Sequence, residues 1–450
     1  MFDQIISKLK AGESNISTDT RTLQVGDIFF AIKGEQFDGH DFVQQALEKG
    51  ASICVVDAGY INPDFGTEDS RLLKVEDTVR ALQQLATEYR ETLGIPVIAI
   101  TGCNGKTTTK NFMASVLTQK FDVEKVAYTK GNLNNFIGLP LSILSIKSSD
   151  EIAVLELGSN HPGEIEFLCA IAKPTYGITT SIGAAHIEFF GTVEAIADEE
   201  GAIALSLPKI GLYVVPKNDQ YSEYLLNRTS ARKSAVDIKH IECLGVEFLN
   251  FQSKLNKIGI SAPHIVTDAL LVTAIAHDLG VSGEQILKGL SETKNDKGRF
   301  DILKREIASL AIESVGSNTA NASTTFPITI IDDTYNANPD SVIAAIKATK
   351  ELFPNERKIV CLGVLKELGD YLHTGYERIV NVCNEDDVAE LVLIGITDTF
   401  ENIDIQTRLI YVNDNVECVD YLKKSVKVND VILCKGSHGA KMWEVVECFK

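Results

Sequence analysis

Thr101-Gly102-Cys103-Asn104-Gly105-Lys106-Thr107-Thr108 joins two segments of opposite character. Pro96–Ile100 before it is a short, largely β-branched apolar run, and after it Phe112, Met113, Val116 and Leu117 recur at helical spacing. A strand, a glycine turn and a helix in that order make a phosphate site. Glycines let backbone N–H groups curl around phosphate oxygens, the helix N-terminus adds partial positive charge, Lys106 reaches the outer phosphates, and Thr107 can hold Mg²⁺. The common GxxxxGK[ST] spacing would need glycine at position 100, which is Ile100. A merely tight strand-to-helix turn is the alternative, and it gives the Lys-Thr-Thr run no task.

Working outward, two further strand candidates end in groups suited to a metal. Glu156 lies at the end of IAVLEL (152–157), and His186 follows TYGITTSI (175–182) in the loop Gly183-Ala184-Ala185-His186. Ligands of open α/β sheets collect outside the carboxyl ends of strands, so both residues are expected to face Lys106 and Thr107. Strands and helices alternate from here to the C-terminus, the pattern of parallel sheets with helices on their faces. HIVTDALLVTAIAHDLGV (264–281) reads as one long buried helix. ITIID (328–332), KIVCLGV (358–364), AELVLIG (389–395) and DVILCKG (430–436) read as strands of a third segment. SVGSNTANASTT (314–325) reads as a surface loop inserted between two strands. Upstream, GDIFFAI (26–32) and ASICVVD (51–57) are strand-like, DFVQQALEKG (41–50) is helical and NPDFGTEDS (62–70) is a loop. The expected fold is therefore α/β in three domains: a mixed α/β domain at 1–93, a P-loop-type parallel-sheet domain at 94–297 and a Rossmann-like domain at 298–450.

The chain has 450 residues with 43 Lys+Arg against 62 Asp+Glu, a formal net charge of −19. That sign disfavours attraction to nucleic acid or to an anionic membrane, while leaving room for a small anionic ligand in a local pocket. Nine cysteines without a CxxC pair fit reduced thiols in a cytoplasm and encode neither a zinc site nor a disulfide framework. The N-terminus lacks an apolar signal core, and no run approaches the roughly 18 apolar residues of a membrane span.

The phosphate loop, the Glu156 strand and the His186 loop together resemble the central domain of the Mur ligases, ATP-dependent amide-forming enzymes of peptidoglycan synthesis. GNLNNFIGLPLSIL (131–144), ELGSNHPGEI (156–165), AHIEFFGT (185–192), DDTYNANPDS (332–341), GVLKELG (363–369) and KGSHGAKMWE (435–444) are similar to the branch that adds D-alanyl-D-alanine to UDP-N-acetylmuramoyl-tripeptide. STDTRTLQVGDIFFAIKGEQFDGHDF (17–42) resembles a UDP-binding domain. YNANPDS sets this branch apart from the tripeptide-forming one, which has a His-containing motif there. The motifs leave open whether the third residue of the tripeptide is diaminopimelate or lysine.

The resemblance implies that ATP phosphorylates the tripeptide carboxylate, that the dipeptide amine attacks the acyl phosphate, and that two Mg²⁺ ions assist. The implied catalytic residues are Lys106, Glu156, His186 and Glu200. Gly102, Cys103, Asn104, Gly105, Lys106, Thr107 and Thr108 would surround the phosphates, with Asp268 at the adenine, Arg299 at the γ-phosphate and Asp333 at the ribose. Thr107 and Glu156 would hold one metal ion and His186 the other. Asp19, Thr20 and Arg21 would meet the UDP moiety, with Arg21 at the pyrophosphate unless it forms only a strand-end ion pair. Glu367, Lys435 and Ser437 would contact the dipeptide, and Asn336 and Asn338 would contact substrate or simply form the turn before Pro339. The expected enzyme is a cytoplasmic monomer without nucleic-acid or membrane partners.

Four positions depart from the family pattern. Glu200 stands where relatives carry a carbamylated lysine, and it is expected to supply a permanent carboxylate to the second metal. Asp268 replaces an Asn, His438 an Arg, and Cys103 the common Thr. An ionised Asp can only accept hydrogen bonds, so adenine recognition is expected to weaken or to rest elsewhere. Two alternatives are a ligase of the same superfamily acting on a folate or another UDP-muramoyl peptide, and a nucleotide-binding protein without ligase activity.

Overall fold

A computed structural model describes residues 2–34, 37–61, 70–294, 296–308, 325–397 and 406–449. The expected loops at 62–70 and 314–325 lie, but for their last residues, outside this set. The chain divides into two compact units. One comprises Met1–Ile182, Ala197–Phe251 and Asp268–Thr293, and the other Gly183–Ile196, Gln252–Thr267 and Lys294–Lys450.

The first unit holds two parallel sheets. β1 (Ile16–Ser17), β2 (Ile28–Phe30), β3 (Ile53–Asp57) and β4 (Leu72–Val75) lie side by side in chain order. β5 (Val97–Thr101), β6 (Val126–Tyr128), β7 (Ile152–Glu156), β8 (Tyr176–Thr179), β9 (Leu212–Pro216) and β10 (Arg232–Val236) form the second sheet in the order β10-β9-β8-β5-β7-β6. β5, β7 and β9 are buried along their whole length, as expected of parallel strands covered on both faces. β6 and β7 lie to one side of β5 and β8 to β10 to the other. The carboxyl ends of β5, β7 and β8 therefore surround the point where the strand order reverses, the place where such sheets bind ligands.

The two sheets of this unit share one core. The helix Thr78–Thr92 buries Leu82, Leu85, Ala86 and Tyr89 among Phe30 and Val55 of the first sheet and Leu139, Ile143 and Leu168 beside the second. Each fully buried apolar side chain of this size contributes about 2 kcal/mol. The Arg90 guanidinium, also buried, donates to the carbonyls of Ala172 (2.7 Å), Leu93 (2.8 Å), Ile95 (3.2 Å) and Lys173 (3.2 Å). It thereby ties the helix and the linker after it to the end of the helix Glu164–Ala172.

The second unit holds β11 (Asp301–Ala308), β12 (Thr325–Asp333), β13 (Lys358–Gly363), β14 (Val388–Ile394), β15 (Arg408–Val412) and β16 (Val431–Lys435), ordered β11-β12-β16-β13-β14-β15. All neighbours are parallel except β11 against β12. β11 breaks the alternation expected from the sequence; its Lys304, Arg305 and Glu306 suit an edge strand rather than a doubly covered one. The long apolar segment forms the helix Pro263–Asp278, close to the span read from the sequence. Among the described residues no helix is long and apolar enough to cross a membrane.

Candidate functional site

The phosphate loop begins at the carboxyl end of β5 and ends in the helix Lys106–Leu117. Two of its glycines are required by geometry. Gly102 has φ +125°, and a Cβ there would collide with the Thr180 hydroxyl; Gly105 has φ +86°, and a Cβ would lie 2.5 Å from Asp268 Oδ1. Residues beyond β8 lace the loop in place. Cys103 N–H donates to the Ser181 carbonyl (2.9 Å), Asn104 N–H donates to Ser181 Oγ (3.0 Å), and the Thr180 hydroxyl donates to the Asn104 carbonyl. Lys106 Nζ folds over the loop onto the Gly102 carbonyl. The buried Asp268 carboxylate sits against Gly105, where a negative charge suits the start of the helix Lys106–Leu117.

Glu156, the last residue of β7, is 3% exposed. Its Oε1 accepts from Thr107 Oγ1 (3.2 Å) and Asn134 Nδ2 (2.9 Å), and Lys110 Nζ lies 3.5 Å from Oε2. Oε2 is buried and has no hydrogen-bond partner among the described residues. Glu156 N–H donates to Thr129 Oγ1 at 3.0 Å, which fixes where the strand ends. The sequence reading missed Asn134, Lys110 and Thr129. Asn134 sits inside the GNLNNFIGLPLSIL motif, the one signal that pointed to it.

Glu200 is 5% exposed and does not stand in open space. Its Oε2 accepts from the Thr101 hydroxyl and from Gly102 N–H, the latter at 2.9 Å. Burial pushes its carboxyl above the ordinary range, opposed by the Lys106 cation and by these two donors. Near the first sheet, Arg21 chelates both oxygens of Asp19 at 2.7 to 3.0 Å, which lowers the Asp19 carboxyl to about 2. Arg21 is otherwise exposed, while Thr20 is buried and donates to Gln45 Oε1 at 2.6 Å.

In the second unit, register accounts for the central ion pair. Asp333 and Lys435 are direct partners on β12 and β16, and Lys435 Nζ donates to Asp333 Oδ2 (2.6 Å) and to the Asn336 carbonyl (3.0 Å). The Ser437 hydroxyl accepts from Lys366 N–H (3.0 Å) and donates to the Ala337 carbonyl (3.3 Å). Asn338 caps the helix Pro339–Leu352 in a capping box with Ser341, the structural one of the two roles weighed for it. Asn336 Oδ1 accepts from His438 N–H at 3.3 Å. The Arg299 guanidinium stacks 4.0 Å above the Tyr335 ring. His264 packs edge-on against Phe300 with Nδ1 enclosed and without a hydrogen-bond partner among the described residues, and burial lowers its pKa to about 4.

His186 pairs through Nδ1 with Glu367 Oε2. Both residues hold positive φ, +55° and +61°, a backbone conformation that non-glycine residues keep only where their surroundings impose it. Asp340 secures this loop. Its Oδ2 accepts from Ala184 N–H (2.6 Å), and its Oδ1 accepts from Arg378 (2.8 Å). The sequence reading gave Asp340 no role. Among the described residues, no three His, Cys, Asp or Glu side chains converge on one point.

Three family models match the chain: "Mur ligase family, catalytic domain" over residues 14–90, "Mur ligase middle domain" over 100–242 and "Mur ligase, glutamate ligase domain" over 321–438. The UDP-N-acetylmuramoyl-tripeptide–D-alanyl-D-alanine ligase of Bacillus subtilis (strain 168) is 33% identical over 397 residues, covering 84% of this chain and 79% of its own. The protein of the same name from Haemophilus influenzae is 31% identical, covering 99% of this chain and 97% of its own. Among solved structures, MurF from Acinetobacter baumannii matches with a TM-score of 0.77 at 27% identity, over 97% of this chain and 93% of that one. MurF ligase from Thermotoga maritima, in complex with ADP, matches at 0.74 and 25% identity over 97% of both chains.

Proposed function

The chain belongs to the Mur ligase family, and from that premise we propose that it joins D-alanyl-D-alanine to UDP-N-acetylmuramoyl-tripeptide with conversion of ATP to ADP and phosphate. The convergence of Lys106, Thr107 and Glu156 at the reversal point of the second sheet is the observation that carries this reading. In it, residues 1–93 bind the UDP precursor, 94–297 bind ATP and 298–450 bind the dipeptide, and the reaction runs in the cytoplasm on a monomer.

The terminal carboxylate of the tripeptide attacks the γ-phosphorus of ATP, the bond to the ADP oxygen breaks, and an acyl phosphate forms. The dipeptide amine then adds to the acyl carbon and loses a proton, and phosphate departs as the amide closes. The first step brings two anions together, so charge control is the main demand on the protein. Lys106 supplies a cation to the outer phosphates. The loop amides and the dipole of the helix Lys106–Leu117 hold the phosphate oxygens.

Mg²⁺ fits the residues present. Glu156 Oε2 is a buried carboxylate oxygen that accepts no hydrogen bond among the described residues, and Oε1 of the same group already meets the Thr107 hydroxyl, so both residues offer the hard oxygen ligands this ion takes. Bound there, the ion would neutralise charge on the β- and γ-phosphates. His186 is the proposed ligand of a second ion. Its Nδ1 contact with Glu367 orients the ring and leaves Nε2 as the ligating atom. In the second unit, Lys435, Ser437 and Asn336 form one polar cluster suited to the carboxylate of a dipeptide, with Asp333 assigned to the nucleotide ribose and Arg299 to its γ-phosphate.

Phosphate release with ATP, Mg²⁺, UDP-N-acetylmuramoyl-tripeptide and D-alanyl-D-alanine, omitting each in turn, tests the reading. Release should stop with every omission. Release that continues without the dipeptide would contradict it.

A further inference from the structure

The helix Val193–Glu200 ends in two adjacent carboxylates that both point into the protein, Glu199 at 7% and Glu200 at 5% exposure. Neighbouring helical residues diverge by about 100°, so one helix end can address two different segments. Glu199 takes the start of the helix Glu164–Ala172: its Oε2 accepts from Gly163 N–H (2.6 Å) and its Oε1 from Ile165 N–H (2.7 Å). Glu200 takes the start of the phosphate loop, where one oxygen receives both the Thr101 hydroxyl and Gly102 N–H. The segments that follow β5 and β7 are thus gripped by successive residues of one turn.

Gly102 is where this grip matters most. It leaves β5 with φ +125° and with Thr180 so close that no Cβ fits, and its carbonyl receives Lys106 Nζ. Fixing the Gly102 amide fixes the peptide plane from which the loop turns, and with it the direction of the first-turn amides of the helix Lys106–Leu117. We propose that Glu200 is a positioning residue for the phosphate loop, acting through Thr101 and Gly102 on ATP binding rather than as a ligand of the second metal ion. This rests on the reading of residues 101–108 as the nucleotide site.

The test compares Glu200→Ala, Glu200→Gln and Thr101→Val in the full chain. It measures KM for ATP, the affinity for ADP without Mg²⁺, and the Mg²⁺ concentration giving half-maximal rate at saturating ATP. Gln keeps an oxygen that accepts both hydrogen bonds but loses the charge that a metal ligand needs. Glu200→Ala should raise KM for ATP and weaken Mg²⁺-free ADP binding about tenfold or more, the scale of two lost buried hydrogen bonds. Its half-saturating Mg²⁺ should stay within about twofold of the native value. Glu200→Gln should recover both nucleotide parameters to within about threefold. Thr101→Val should weaken ADP binding by itself and add little in the Glu200→Ala background, because both remove the same contact. The proposal is overturned if Glu200→Gln is as impaired as Glu200→Ala while its Mg²⁺ requirement rises tenfold, or if all three variants bind ADP as the native protein does. Native protein that fails to bind ADP would instead overturn the nucleotide-site reading itself.

Discussion

Glu156 has one oxygen that takes hydrogen bonds from Thr107 and Asn134 and another that lies 3.5 Å from the Lys110 ammonium. A bound Mg²⁺ would add a second positive charge beside Lys110. Replacing Glu156 with Gln keeps the shape and removes the charge. The half-saturating Mg²⁺ concentration should then rise about tenfold or more; an unchanged Mg²⁺ titration would exclude Glu156 as a ligand. His264 gives a second residue-scale prediction. Its pKa of about 4 lies below the ordinary 6.5, so the unfolded chain takes up the proton first. Stability is therefore lost as pH falls from about 6.5 towards 4, by up to about 3 kcal/mol from this one ring. In His264→Phe the difference in stability between pH 7 and pH 4.5 should shrink accordingly, as read by urea unfolding at the two values. An equal difference in both proteins would contradict this.

Among elements, the helix Thr78–Thr92 shows how one side chain can hold a junction. Arg90 donates to four carbonyls from the linker and from the end of a second helix. Arg90→Met should cost about 3 kcal/mol, because it fills similar space but leaves those acceptors unpaired. Unfolding within about 0.5 kcal/mol of the native protein would show that water satisfies them instead. The elements also show what the sequence could and could not reveal. β5, β7, β13 and β16 were legible because burial along their whole length makes each a largely apolar run, and β12 and β14 through their apolar stretches 328–331 and 391–394. β10 (Arg232–Val236) and β11 (Asp301–Ala308) were not, since they are edge strands with charged residues whose pairing depends on a distant neighbour. Likewise Glu156 ends a strand, and Lys106, Thr107 and His186 follow strands in the turns and helix starts after them, where local pattern marks chemistry. Lys110, Asn134 and Asp340 act through space, and no local spacing distinguishes them. Glu200 was visible as a carboxylate, but its partners, Thr101 and Gly102, lie about a hundred residues earlier.

For the whole molecule, a net charge of −19 coexists with substrates that each carry a carboxylate or phosphate, ATP and the UDP precursor as anions and the dipeptide as a zwitterion. A small part of that acidity lies where solvent does not see it. Glu156, Glu199 and Glu200 are buried, and their oxygens hold loop amides and hydroxyls in place instead of facing solvent. In the proposed reading, the charge that phosphates meet is set locally by Lys106, which lies over the loop, while Lys110 stands against Glu156. The central claim is that the tripeptide carboxylate is itself phosphorylated before the amide forms. It is tested most directly with tripeptide carrying ¹⁸O in both oxygens of its terminal carboxylate, incubated with ATP, Mg²⁺ and D-alanyl-D-alanine, with mass spectrometry of both products. One labelled oxygen should appear in each released phosphate and the other in the new amide carbonyl of the pentapeptide. Unlabelled phosphate accompanying the amide product would contradict the account.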